Sequence, residues 1–301
     1  MVTIFLLAIC CTYINQDKKK AVDPLINISM IGNKIENLVP ENRSSASLTE
    51  ESKKGVPVLL FHQVYKGIGS EDYGNISYEK FIKQLDILKE SGYTAITLDD
   101  LYSYVTSNKT LPSRPIVLTF DDTNNSDYEI VYPELLKRGY FGVFFTIGKR
   151  ASQPVWAERL RLMSKKGMEI MDHSMTHKYL GGGPDTRGVR TNIWINNELL
   201  YEFVDSRKVI EDITGKKVEF LAWPGDSYTK EMVDYAKESG YKGVFMAKTD
   251  QTENVMKNPI NKSGYNVYGD NPLYFKRITI NGKDSTDTFK DLLKDGVYPR
   301  K

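Results

Sequence analysis

The chain of 301 residues is poor in the residue types that mark several common protein classes. Its two cysteines both lie near the N-terminus, so cysteine pairing offers no disulfide framework for the fold. The 41 basic and 39 acidic residues are interspersed and leave a net charge of +2, which argues against a nucleic-acid partner. Histidine occurs three times only, as His62, His173 and His177. Any imidazole used in catalysis or metal binding must therefore come from these three.

An apolar run near the N-terminus, Ile4–Cys11, is far shorter than the roughly 18 residues that a membrane-spanning helix needs. It fits the core of a signal peptide, and Cys10 and Cys11 close it as a cysteine closes a bacterial lipoprotein signal. We predict that residues 1–20 are a signal peptide or a lipoprotein-type signal, with Cys10 and Cys11 as candidate lipid-attachment sites. The protein is then expected to be exported. It would lie at the cell surface, either anchored to the membrane or free in the periplasm or outside the cell. We expect contact with the membrane only through the attached lipid or an uncleaved signal. The alternative is a short buried N-terminal strand.

The pattern of the chain changes near residue 55. Residues 21–55 are polar, contain Pro24 and Pro40 and show no sustained periodicity, which predicts a tether. Residues 56–301 alternate short apolar runs with helical stretches, as repeated βα units around parallel strands do. We predict a catalytic domain of α/β class here, a distorted or incomplete (β/α) barrel of about seven to eight βα units. The predicted strands are Pro57–Phe61, Ala95–Leu98, Ile116–Phe120, Gly142–Ile147, Met168–Met171, Val218–Trp223, Gly243–Ala247 and Tyr274–Ile280.

Polar groups able to bind a metal or transfer protons follow three of these strands. His62 follows the first, Asp121 and Asp122 follow Ile116–Phe120, and His173 follows Met168–Met171, with His177 four positions later. Barrels of this kind carry their chemistry at the C-terminal ends of the strands, so we expect these side chains to meet. Two imidazoles and one carboxylate form a site suited to zinc or another divalent first-row ion.

Each of these groups also has a plainer interpretation. Aspartate is favoured before a helix, so Asp121 and Asp122 could serve as helix caps. Two adjacent carboxylates repel each other, however, unless a cation or separate partners compensate their charges. His173 and His177 could form an exposed pair on a helix face, and His62 could be a core histidine bonded to the backbone. Trp223 could equally be core or one wall of a sugar groove.

Taken together, the segments Thr119–Asp122, His173–His177 and Ala222–Gly225 resemble the motifs of the polysaccharide deacetylases, carbohydrate esterase family four, with the NodB-like homology domain. The resemblance spans roughly Val56 to Leu293. It implies a hydrolase that acts on the amide bonds of an extracellular or cell-wall polysaccharide. It also implies one divalent metal ion, with zinc preferred over cobalt, nickel or iron.

The resemblance further assigns roles to residues. Asp121 is expected to be the general base, and Asp122, His173 and His177 the metal ligands. Most members place the acid histidine near the C-terminus, where this chain has none, whereas the subgroup that de-N-acetylates poly-β-1,6-N-acetylglucosamine carries it on the first strand. His62 matches that arrangement and is the expected general acid, as an imidazolium.

The third motif of the family usually begins with an arginine that orients the base, and this chain has none there. Arg277 is the candidate to replace it, and Trp223, Pro224 and Arg277 are candidate contacts to substrate or oxyanion. The expected function is N-deacetylation of poly-β-1,6-N-acetylglucosamine with release of acetate. The alternatives are a deacetylase of peptidoglycan or chitin-like glycan, and a non-catalytic surface glycan-binding protein.

Overall fold

Parallel strands and the helices that connect them account for most of the computed structural model, which describes residues 55–179, 196–247 and 264–296. All of these lie in one unit, Ala46–Lys301. The predictions for the signal at 1–20, the lipid sites Cys10 and Cys11 and the tether as far as residue 54 fall outside the described residues.

Ten strands are present in the described residues, and seven of them close into a parallel barrel. The barrel order is β1-β10-β9-β8-β7-β6-β5, and β1 closes it by pairing with both β10 and β5. The short β4 adds to the outer edge of β5. The predicted (β/α) barrel is therefore confirmed. The strands are β1 Val58–Phe61, β2 Gln63–Tyr65, β3 Asn75–Ser77, β4 Thr94–Ala95, β5 Pro115–Asp121, β6 Val143–Thr146, β7 Glu169–Asp172, β8 Phe220–Ala222, β9 Gly243–Ala247 and β10 Phe275–Thr279.

Four of the barrel strands, β1, β5, β6 and β9, are mostly apolar because both of their faces are covered. Every residue of β5 is buried, as is every residue of β1, β6 and β9. Stacked aromatic rings link neighbouring strands: Phe120 lies 5.3 Å from Phe61 and 5.1 Å from Phe144 between ring centroids. Each such side chain contributes about 1.5 to 3 kcal/mol by leaving water, so this aromatic core is a main source of stability.

Helices follow the strands and cover the outside of the barrel. Three helices are followed by a Gly-Tyr pair, and the glycines Gly92, Gly139 and Gly240 all have positive φ, as is common for a glycine just past a helix. The helices are Tyr78–Glu90, Leu98–Ser107, Tyr132–Lys137, Gly148–Ala151, Pro154–Lys165, Asn196–Leu199, Ser206–Thr214, Lys230–Glu238 and Thr286–Asp295. None of the helices among the described residues is both long and apolar enough to cross a bilayer.

The predicted strand Ala95–Leu98 is wrong in its extent. The strand β4 covers only Thr94–Ala95, and a helix begins at Leu98. Thr97 stops the strand because it forms a capping box: its side chain accepts from the Asp100 backbone N–H, and the Asp100 carboxylate accepts from the Thr97 N–H.

Two short strands outside the barrel were not predicted. Directly after His62, β2 pairs in parallel with β3, with Gln63 opposite Asn75 and Tyr65 opposite Ser77. Strands of three residues carry too little periodicity to be recognised in a sequence. This small sheet holds the chain that follows His62 against the rim of the barrel.

Candidate active site

The C-terminal ends of the barrel strands bring the predicted residues to one rim. Phe61 of β1 is opposite Phe120 of β5, so His62 and Asp121 occupy equivalent positions on neighbouring strands. Two strands further on, Asp172 of β7 is opposite Leu221 of β8, which places His173 at the same end. Strand register alone thus assembles the site, as expected for a barrel of this type.

Asp122, His173 and His177 present one ligand atom each within 4.8 Å of one another. The Asp122 Oδ1 atom lies 3.0 Å from His177 Nε2 and 3.4 Å from His173 Nε2. Two imidazole nitrogens and one carboxylate oxygen match the three protein ligands of a catalytic zinc site, which leaves a further position for water or substrate. The donor set therefore fits a divalent metal ion.

The backbone around His173 orients its ring toward that centre. His173 Nδ1 lies 2.9 Å from the carbonyl oxygen of Ala222, so with Nδ1 as the donor the Nε2 lone pair points to Asp122 and His177. Glu202 is buried and holds the following loop: its carboxylate accepts from the Thr176 N–H over 2.8 Å.

Asp121 ends β5, and Asp122 begins a turn with unusual backbone geometry. Asp122 and Thr123 have φ values of 78° and 59°, a left-handed conformation that costs non-glycine residues free energy. Hydrogen bonds compensate: Asp127 accepts from the Asn124 N–H over 2.8 Å, and Asn124 Nδ2 donates to the Asp121 carbonyl. Strain of this kind, kept in place by its surroundings, is typical of functional sites.

Arg277 forms a buried ion pair with the predicted base. Its Nη1 donates to Asp121 Oδ1 over 2.8 Å, and the two side chains are 2% and 3% exposed. The other carboxylate oxygen, Oδ2, lies 3.8 Å from His173 Nε2. One oxygen of Asp121 is therefore fixed by arginine while the other faces the metal-ligand cluster.

Electrostatic effects in the site follow from burial and from these charges. Burial opposes ionisation of Asp122, but its hydrogen bonds with His173 and His177 hold the pKa of its carboxyl far below the usual range. Burial alone would lower the pKa of His173, yet the charges of Asp121 and Asp122 outweigh it and raise the pKa. An ionised Asp122 carboxylate is what a bound cation requires.

His62 lies within the field of the same charges. Burial lowers the pKa of His62, while the carboxylates of Asp121 and Asp122 act in the opposite direction. Because the pKa is lowered overall, the neutral form of His62 is favoured at neutral pH. His62 is positioned to exchange a proton, but its ring is mostly neutral before the reaction begins.

Comparisons with known proteins point to one family of enzymes. Residues 108–244 match the model of the family described as Polysaccharide deacetylase. The chain contains a polysaccharide deacetylase domain. The predicted enzyme class, a deacetylase hydrolase, is thereby confirmed, while His62 and Arg277 lie outside the matched residues.

Individual relatives of the deacetylase are distant. YxkH of Bacillus subtilis (strain 168), a protein provisionally named polysaccharide deacetylase, is 23% identical to this chain over 203 residues. The match covers 67% of each chain. The structure of the Streptococcus pyogenes deacetylase PplD in complex with acetate has a TM-score of 0.62 and 19% identity, covering 80% of this chain and 97% of that one. A de-N-acetylase from Aggregatibacter actinomycetemcomitans has a TM-score of 0.64 and 22% identity, covering 78% and 98%. At these identities the structural likeness shows the shared fold.

Trp223 and Pro224 do not take the predicted place in the deacetylase site. The Trp223 side chain is 1% exposed and packs between Phe203 and Tyr228, at centroid distances of 5.4 Å and 5.8 Å, so it is core and not the wall of a groove. Its backbone N–H donates to the Phe245 carbonyl over 3.0 Å and is not free for an oxyanion. Pro224 is buried and has no N–H to offer. Arg277 contacts Asp121, which fits the orienting role rather than an oxyanion contact.

Asp226 is a charged neighbour of the site that sequence reasoning missed. Its Oδ1 accepts from the Ala247 N–H over 2.5 Å, and its φ is 52°. Burial raises the pKa of Asp226 to about 6, with the Arg277 charge acting in the opposite direction. The signal available in the sequence was an aspartate directly after Pro224-Gly225, at the end of a predicted strand.

Proposed function

We propose that the deacetylase hydrolyses the N-acetyl groups of a β-linked N-acetylglucosamine polymer, with poly-β-1,6-N-acetylglucosamine as its substrate. The observation that carries the proposal is the convergence of Asp122, His173 and His177 beside the Asp121–Arg277 ion pair, with His62 on the adjacent strand. The position of the acid histidine on the first strand supports the poly-β-1,6-linked substrate through the subgroup resemblance. The de-N-acetylase named among the similar structures supports amide chemistry.

Asp122, His173 and His177 would hold the divalent ion, and zinc is the ion we propose. When bound there, such an ion polarises the acetyl carbonyl and lowers the pKa of a coordinated water. The rest of the chemistry falls to groups of this chain, each placed by the strand register.

Asp121 acts as the general base. Its Oδ2, the oxygen not bonded to Arg277, takes the proton from the attacking water while a C–O bond forms to the acetyl carbon. Arg277 fixes the orientation of this carboxylate through the buried 2.8 Å contact with Oδ1.

His62 delivers a proton to the departing amine as the C–N bond breaks, giving acetate and a free amine on the sugar. Since burial lowers the pKa of His62, the ring takes up its proton within the catalytic cycle. Asp121, at the equivalent position on the neighbouring strand, is the nearby group that acquires one from water.

The enzyme is also proposed to work outside the cytoplasm, on an extracellular or cell-wall polysaccharide. The apolar run Ile4–Cys11 and the two cysteines that close it support this location.

Acetate release from defined oligomers tests the proposal. Protein stripped with a chelator is assayed on β-1,6-linked N-acetylglucosamine oligomers, with and without zinc, cobalt or nickel, beside chitin-like oligomers and peptidoglycan fragments. We expect metal-dependent release that is fastest on the β-1,6-linked chains. Asp121→Asn is the matched control, expected to bind metal like the wild type and to release about 100-fold less acetate or still less.

Faster release from chitin-like or peptidoglycan substrates would replace the proposed glycan. Oligomer binding without release from any substrate, in fully metal-loaded protein, would favour a glycan-binding role over catalysis.

A further inference from the structure

Tyr73 lies beside the general acid without belonging to any of the recognised motifs. Its ring centroid is 5.7 Å from that of His62, with the two rings inclined at 49°. Its hydroxyl lies near the Thr279 side chain, at the C-terminal end of β10. Even so, 49% of the residue remains exposed. An aromatic ring is thus accessible at the rim of the site, beside the general acid.

The turn that carries Tyr73 is firmly held. The Asp72 carboxylate accepts from the Gly74 N–H over 2.9 Å, and the Asp72 carbonyl accepts from the Gly282 N–H over 2.8 Å. The Gly74 carbonyl in turn accepts from the N–H of Gln63, the residue after His62, over 2.9 Å. Tyr73 and His62 are therefore fixed relative to each other, and a ligand that contacts the ring need not order it first.

We infer that Tyr73 is the platform on which the pyranose ring of the reacting N-acetylglucosamine stacks, an inference that rests on the proposed function. His62 must reach the nitrogen carried by the sugar ring, whereas the acetyl carbonyl points to Asp122, His173 and His177. The sugar itself then lies on the His62 side of the site, where Tyr73 is exposed. The C–H bonds on a pyranose face are weakly positive and suit the negative face of an aromatic ring.

A tyrosine at the other end of the barrel provides a comparison. Tyr268 is 57% exposed, but the neighbouring Asn266 pairs with Val56, which precedes β1, so this segment lies at the N-terminal end of the strands. The stretch Tyr265–Tyr274, whose sequence is compatible with plain surface or a saccharide platform, is therefore remote from the site. Tyr268 is an exposed tyrosine of the same kind without a catalytic neighbour.

Oligomer binding to a catalytically inactive variant measures the contribution of stacking separately from that of the reaction. Isothermal titration of a β-1,6-linked N-acetylglucosamine pentamer into metal-loaded Asp121→Asn protein gives the reference Kd. In that background Tyr73→Ala is expected to weaken binding about tenfold, equivalent to about 1.4 kcal/mol. Tyr73→Phe keeps the ring and is expected to stay within about twofold, as is Tyr268→Ala. In otherwise wild-type enzyme, Tyr73→Ala should lower kcat/KM for the pentamer by a similar factor at unchanged metal content.

Equal affinity of Tyr73→Ala and its parent would overturn the stacking role, as would a loss in Tyr73→Phe as large as that in Tyr73→Ala. A parent protein that binds no oligomer would overturn it as well. Failure of the proposed function has a different signature: oligomer binding that depends on the Tyr73 ring, but no acetate release by the wild type.

Discussion

Replacing Arg277 is the sharpest test of how the site works. Its guanidinium and the Asp121 carboxylate are 2.8 Å apart and almost wholly buried. Removing one partner of such a pair leaves an uncompensated buried charge, which costs about 3 to 5 kcal/mol of folding free energy. For Arg277→Met we therefore expect a loss of stability in that range.

We also expect kcat to fall about 100-fold in Arg277→Met, because the base loses the contact that orients its carboxylate. Urea unfolding measures the first effect and acetate release the second, with metal content determined in parallel. Metal content should persist, since Arg277 is not a ligand. Arg277→Lys keeps the positive charge but loses the planar guanidinium group. It should therefore be more stable than Arg277→Met but still have a reduced kcat.

Lys276 is a matched control for Arg277. It is the neighbouring residue on β10, is equally buried, and pairs with Asp270 over 2.9 Å. Successive residues of a strand point to opposite faces, so Lys276→Met removes a buried cation from the same strand on the side away from Asp121. It should lose stability but keep kcat within about twofold, because it does not touch the base.

A double-mutant cycle decides whether Arg277 acts through Asp121. If it does, Arg277→Met should cost little further activity in an Asp121→Asn background. Independent, multiplying losses would refute the orienting role, and so would an Arg277→Met enzyme with wild-type kcat.

Two further outcomes are expected. His177→Ala should reduce the amount of bound metal, measured by mass spectrometry, because it removes one of three ligands. His62→Ala should keep the metal and lose turnover. Equal metal loss in both variants would contradict the assigned roles. Burial raises the pKa of Glu169 from 4.5 to about 7, so this carboxyl lowers the free energy of unfolding progressively as pH rises between those two values. Glu169→Gln should then exceed wild-type stability by about 1 to 3 kcal/mol near pH 8 and by little near pH 5, and a pH-independent difference in urea unfolding would contradict this.

The barrel and the metal-ligand cluster were predictable because their signals are local. Strands such as Pro115–Asp121 are buried on both faces and read as continuous apolar runs. Polar residues at the C-terminal ends of parallel barrel strands meet at one rim of the barrel. Because Asp122 and His173 each follow an apolar run in the sequence, their proximity could be predicted from the sequence alone.

Other parts of the site depend on contacts that no local pattern encodes. Arg277 and Asp121 are separated by 156 positions, and only closure of the barrel brings them together. Tyr73 lies in a loop whose strands are three residues long, too short for periodicity to reveal. Trp223 illustrates the opposite difficulty, since an aromatic residue at a strand end looks the same in sequence whether it faces solvent or the core.

Closure of the barrel joins its first strand to its last, because β1 pairs with β10 as well as with β5. His62 comes from the beginning of the domain and Arg277 from near its end, while the metal ligands lie between them. A form of the domain cut before β10 would keep all three candidate metal ligands but lose both the arginine and the strand that closes the barrel. The candidate metal centre and the candidate base are therefore supported by different parts of the chain.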